Sequence, residues 1–187
     1  MAHPEHGPVA HVAENLERAL GPAPHTLLVL GSGLGPVTER VQIDGRVDTV
    51  ALGLPPSTVP GHAGSVVVGT LGGVRVALLS GRVHLYEGHG AQAIVRYVRA
   101  AHRWGVQRLV LTCSAGGIAP ALVPGALCLV TDHLNLMSDN PAMGVPYNEV
   151  RFPDLSRAYD PATCQALRQA ATSVGVTLHE GIYAALD

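Results

Sequence analysis

Apolar residues along this chain follow two spacings, and the switching between them is its first readable feature. Residues 9–20 carry them at helical spacing, and Gly21-Pro22-Ala23-Pro24 ends the run. Residues 26–30 are a continuous apolar stretch stopping at Gly31, the pattern of a strand covered on both faces. Residues 66–71 and 74–79 read as two strands joined by Gly72-Gly73, a tight-hairpin signal. Helical spacing returns over 91–104, with Ile94, Val95, Val98, Ala101 and His102 on one face, and Gly105 closes it. A strand over 108–112 and another over 126–131 follow. Pro161 and Gly175 frame a helix over 162–174, and 176–186 is extended. Strands alternating with helices predict an α/β fold: a mixed, mainly parallel central sheet flanked by helices, plus one hairpin. With 187 residues, the chain reads as a single domain, 1–187, and no repeat or low-complexity linker divides it. Asp187 falls inside an extended segment, so the chain reads as truncated at its C-terminus.

Composition narrows the function classes. Hydrophobic content of 47% against 14% charged residues marks a globular protein. A net charge of −2 carries no electrostatic footprint for nucleic acid or an anionic membrane surface. No apolar run is long enough to span a bilayer, and the N-terminal residues do not read as a signal peptide. All twelve basic residues are arginine, which excludes lysine Schiff-base and P-loop lysine chemistry within this chain. Cys113, Cys128 and Cys164 are spaced unlike a zinc or redox motif and read as reduced, buried thiols, giving a cytoplasmic expectation.

Three glycine-bearing segments stand where apolar strands end: Gly31-Ser32-Gly33-Leu34-Gly35, Ser80-Gly81-Arg82-Val83-His84 and Cys113-Ser114-Ala115-Gly116-Gly117. Small residues there let backbone amides approach a ligand and form anion-binding concavities. The first segment is either a plain tight turn or an anion nest with the Ser32 hydroxyl as an extra donor. A dinucleotide fingerprint would need its third glycine one residue later and no Pro36. Arg82 and His84 flank Val83, and strand alternation puts both on one face, suited to a surface ion pair or to phosphate oxygens. Tyr86 shares the His84 face, for packing or for covering a sugar. His62 lies in the glycine loop Pro60-Gly61-His62-Ala63-Gly64, either solvated or set to cover a ligand. His62, His84 and His89 have no cysteine or carboxylate partners at metal-ligand spacing, so no metal site is expected. Ser114 lacks the glycine two residues earlier that a nucleophile elbow requires.

Taken together, LVLGSGLGPV, STVPGHAG, LLSGRVHLYEGH, LVLTCSAGGIAPALVPGALCLVTDHLNL, NPAMG and RFPDLSRAYD resemble the trimeric class of purine nucleoside phosphorylases. They occur in family order from about Leu27 onward. The resemblance implies the phosphorylase/hydrolase-like fold and reversible phosphorolysis of purine (deoxy)ribonucleosides to free base and (deoxy)ribose 1-phosphate, a purine-salvage reaction. It implies phosphate held by Ser32, His62, Arg82, His84 and the backbone at Ser114, with His84 and His62 catalytic. Tyr86, Ala115 and Phe152 would contact the nucleoside, Phe152 in a neighbouring subunit's site, which makes a homotrimer the expected assembly. No metal or organic cofactor is implied, inorganic phosphate being a substrate. Cys113-Ser114 stands where the family usually has asparagine-alanine, and the base-binding residues that the family carries further along have no counterpart before Asp187.

Overall fold

The computed structural model describes residues 2–58 and 64–186. They form two compact units, Met1–Ser114 with Pro141–Tyr147, and Ala115–Asn140 with Asn148–Asp187.

The first unit begins with helix α1, His6–Leu20, whose Val9, Val12, Ala13, Leu16 and Leu20 are buried at the predicted spacing. Strand β1, Thr26–Leu30, enters the sheet, and a short 3₁₀ turn, Gly35–Arg40, follows it. Strands β2 (Gln42–Asp48), β3 (Ser65–Leu71) and β4 (Val74–Ser80) come next. Helices α2 (Ala91–Ile94) and α3 (Arg96–Trp104) then lead to β5, Arg108–Leu111. The sheet order is β2-β3-β4-β1-β5. β1 pairs parallel with both β4 and β5, whereas β3 is antiparallel to β2 and β4. The hairpin forms at Gly72-Gly73, whose positive φ values of 56° and 80° suit a primed turn.

Alternation along the strands divides the apolar residues between two faces. Leu27, Val29, Val66, Val68, Ala77 and Leu79 pack with α1 and with Ala100 and Ala101 of α3. Leu28, Leu30, Val67, Val76 and Leu78 pack on the other face with Val37 and Val41. The predicted two-sided burial of β1 is therefore observed.

Two features differ from the pattern reading. β2 is an additional strand: Gln-Ile-Asp-Gly-Arg-Val-Asp is polar, largely exposed and irregular between Ile43 and Gly45, as befits a sheet edge. The helix expected over 91–104 is divided in two by the single residue Val95, whose φ of −83° and ψ of 0° remain in the right-handed helical region.

In the second unit, β6 (Leu127–Leu136) pairs parallel with β7 (Leu178–Leu186), and α4 (Pro161–Ser173) is the crossover. Asp160 caps α4 by accepting from the Thr163 N–H at 2.8 Å and its hydroxyl at 2.6 Å, with Pro161 opening the first turn. Arg168 and Glu180 join α4 to β7 through two bonds of 2.6 and 2.9 Å.

Candidate active site

Because β4, β1 and β5 are parallel neighbours, their C-terminal ends share one edge of the sheet, the usual location of ligand sites in such folds. Leu30 is level with Ser80, and Val29 with Leu111, so the three glycine-bearing segments leave the sheet almost in register. The first and third are tied together. Thr112 Oγ1 accepts from the Gly31 N–H at 2.8 Å and donates to Val29 O at 2.8 Å. Ser114 Oγ donates to Ser32 O at 3.3 Å. This approach requires glycine at 31, where a Cβ would sit 2.5 Å from Thr112 O and 2.7 Å from Cys113 Cα. Beyond Gly31 the chain enters a 3₁₀ turn carrying Pro36 near its start, unlike the α-helix of a dinucleotide site.

The second segment corrects one expectation. β4 stops at Ser80, and Gly81 turns the chain with φ +72°, so Arg82 and His84 are not strand residues and alternation does not set their faces. A 3₁₀ turn, Leu85–Glu87, orients His84 instead. The Glu87 carboxylate folds back and accepts from the His84 N–H at 2.8 Å and from His84 Nδ1 at 2.9 Å. Tyr86, 75% exposed, stacks on His84 with ring centroids 4.8 Å apart and planes 11° from parallel.

Glu87 is the functional candidate that the sequence reading did not single out. Its side chain is 1% exposed. Besides His84 it accepts from Ser57 Oγ at 3.0 Å, Thr58 N at 2.6 Å and Thr58 Oγ1 at 3.1 Å. Burial pushes this carboxyl up, but the donors of Thr58, His84 and Ser57 outweigh it and hold the group at about 2. An ionised carboxylate on Nδ1 requires a proton there, so any anion contact by His84 runs through Nε2. Glutamate three residues after a helix-capping position was the available sequence signal. Arg82 is half-buried within electrostatic reach of Tyr97, whose hydroxyl burial pushes up while the guanidinium pulls it down.

Ser32, Arg82, His84, Tyr86 and Ser114 thus all belong to segments that leave this sheet edge. Ala115 and Phe152 belong to the second unit, where both are exposed. His62 lies outside the described residues. Among the described residues no group of three or more His, Cys, Asp or Glu is arranged to hold a metal ion, and no helix is long and apolar enough to cross a membrane.

The Phosphorylase superfamily matches residues 27–187. Purine nucleoside phosphorylase 1 of Bacillus subtilis is 35% identical over 183 residues, covering 95% of this chain and 67% of its own length. The chain belongs to the purine nucleoside phosphorylase family of that superfamily. Purine nucleoside phosphorylase 1 of Geobacillus stearothermophilus is also 35% identical, over 95% of this chain and 66% of its own length. The chain thus spans about two thirds of these relatives. Among solved structures, the Schistosoma mansoni purine nucleoside phosphorylase in complex with acetate matches with a TM-score of 0.87 and 28% identity, covering 96% of this chain and 69% of its own. A purine nucleoside phosphorylase in complex with ribose-1-phosphate matches with a TM-score of 0.81 and 30% identity, over 94% of this chain and 68% of its own. The mixed sheet flanked by helices is that of the family.

Proposed function

We propose that the protein is a purine nucleoside phosphorylase, catalysing reversible attack of inorganic phosphate on C1′ of a purine (deoxy)ribonucleoside. The observation that carries this reading is the near-register exit of three glycine-bearing segments from β1, β4 and β5, bearing Ser32, Arg82, His84 and Ser114. The similar purine nucleoside phosphorylase solved in complex with ribose-1-phosphate supports phosphate chemistry.

In this mechanism the Arg82 fork, the Ser32 hydroxyl and the backbone at Ser114 hold the phosphate oxygens, and His84 meets one through Nε2. His62 contributes from its glycine loop. The C1′–N9 bond breaks with its electron pair leaving on the purine, and the phosphate oxygen bonds C1′ from the opposite face. Preorganised donors keep the phosphate dianion beside the oxocarbenium-like carbon, so attraction between them stabilises the transition state without a covalent enzyme intermediate. Tyr86 covers the sugar, and Ala115 lines the nucleoside site. Phe152 serves a neighbouring subunit's sugar, in a homotrimer. Phosphate is a substrate, and the reaction requires no organic cofactor.

Inosine phosphorolysis at saturating phosphate tests the proposal through hypoxanthine release. A second reading, phosphate binding without turnover, is favoured by Cys113-Ser114, which stands where the family usually has asparagine-alanine. Thermal protection by phosphate with no hypoxanthine released selects that reading. Absence of both defeats each.

A further inference from the structure

Glu87 uses its two oxygens for two different stretches of chain. Oε1 takes the His84 N–H and Nδ1, while Oε2 takes the Ser57 hydroxyl and both the N–H and hydroxyl of Thr58. We propose that Ser57 and Thr58 are positioning residues for His84, acting through the Glu87 carboxylate. The inference rests on the phosphate-site reading of His84.

A carboxylate can turn about its Cγ–Cδ bond unless both oxygens are fixed. Three donors on Oε2 fix that rotation, so the plane in which Oε1 meets Nδ1 is set by residues nearly thirty positions upstream. Oε1 then sets the azimuth of the imidazole, whose flat face rests on Tyr86. Ring azimuth decides where Nε2 points, and the ionised acceptor decides that Nδ1 carries a proton. The arrangement parallels the outer-shell carboxylates that orient ligating histidines at metal sites. Ser57 and Thr58 open the Ser-Thr-Val-Pro-Gly-His-Ala-Gly segment that contains His62. Two segments distant in sequence therefore meet on one buried anion.

The test uses the full chain with ¹⁵N,¹³C-labelled histidine. Wild type should show His84 as the Nδ1–H tautomer. The double variant Ser57→Ala/Thr58→Val, which keeps the Thr58 N–H bond, should show a mixture of tautomers and bind inorganic phosphate roughly tenfold more weakly. Thr58→Ser, retaining the hydroxyl, should restore both values. Should the double variant fold poorly, Thr58→Val alone is read the same way with a smaller change. An unchanged Nδ1–H signal with unchanged phosphate affinity overturns the inference, as does a loss of stability with the tautomer intact. If wild type itself binds no phosphate, the phosphate-site reading fails, and the tautomer comparison alone decides whether Ser57 and Thr58 position the ring.

Discussion

Replacing Glu87 with glutamine preserves the shape of the side chain and removes its charge, which isolates what the ionised carboxylate does. A glutamate carboxyl held at about 2 instead of 4.5 corresponds to an upper limit of about 3 kcal/mol of stability at neutral pH. Thr58 beside it is exposed, so solvent screening reduces this to roughly 1–2 kcal/mol. The amide adds a second cost. All five groups around Glu87 donate, and an NH₂ on either side faces donors: two at His84, or three at Ser57 and Thr58. Whichever way the amide turns, one backbone N–H is left unmet: that of His84, with the ring accepting at Nδ1, or that of Thr58, with the two hydroxyls accepting. A lost partner of this kind costs about 1–3 kcal/mol. We expect Glu87→Gln to lose about 2–5 kcal/mol in all, a fall of roughly 6–15 °C in Tm for a chain of this size. The sign with pH follows from the lowered carboxyl. Its stabilisation is complete above 4.5 and is lost as pH falls toward about 2. Urea melts of both proteins from pH 7 down to 3 should therefore show a gap that narrows below 4.5. A gap independent of pH, or a variant as stable as wild type, refutes the reasoning.

Gly31→Ala drives a methyl into backbone atoms of Thr112 and Cys113, which cannot rotate away, so β1 and β5 must part. A loss of about 2–4 kcal/mol in chemical denaturation is expected, together with weaker phosphate binding. His3 is 4% exposed, and its Nδ1 accepts the Glu5 N–H at 3.0 Å, a bond that only the neutral ring can make. Burial foremost, with Arg99 and His6 adding repulsion against the pull of Glu5, lowers its pKa. Stability should therefore fall as pH drops below about 6.5, and His3→Asn, which keeps an acceptor at the same place, should flatten that loss in a Tm-against-pH series.

Most of the sheet was legible because its signals are local. The apolar run of β1 ends at a glycine, and Gly72-Gly73 joins β3 to β4. β2 was not legible, since an exposed edge strand has no apolar face to show, and neither was the break at Val95, which no glycine or proline marks. At the site, the strand-end glycines announce where backbone can approach a ligand. The geometry of Arg82 and His84 was misread as strand because Gly81 supplies a positive φ that the sequence permits but does not demand. Glu87 escaped notice for a different reason. An acidic residue beside glycine reads as solvated, and only the arrival of Ser57 and Thr58 from afar turns it into a buried anion.

The convergence of Ser32, Arg82 and His84 on one oxyanion is tested most directly by a crystal structure of the protein with arsenate, whose anomalous signal locates the anion without ambiguity. The account predicts one arsenate beyond the ends of β1, β4 and β5, within hydrogen-bonding distance of the Ser32 hydroxyl, the Arg82 guanidinium and His84 Nε2. An arsenate bound elsewhere, or Ser32 and Arg82 facing separate cavities, contradicts it.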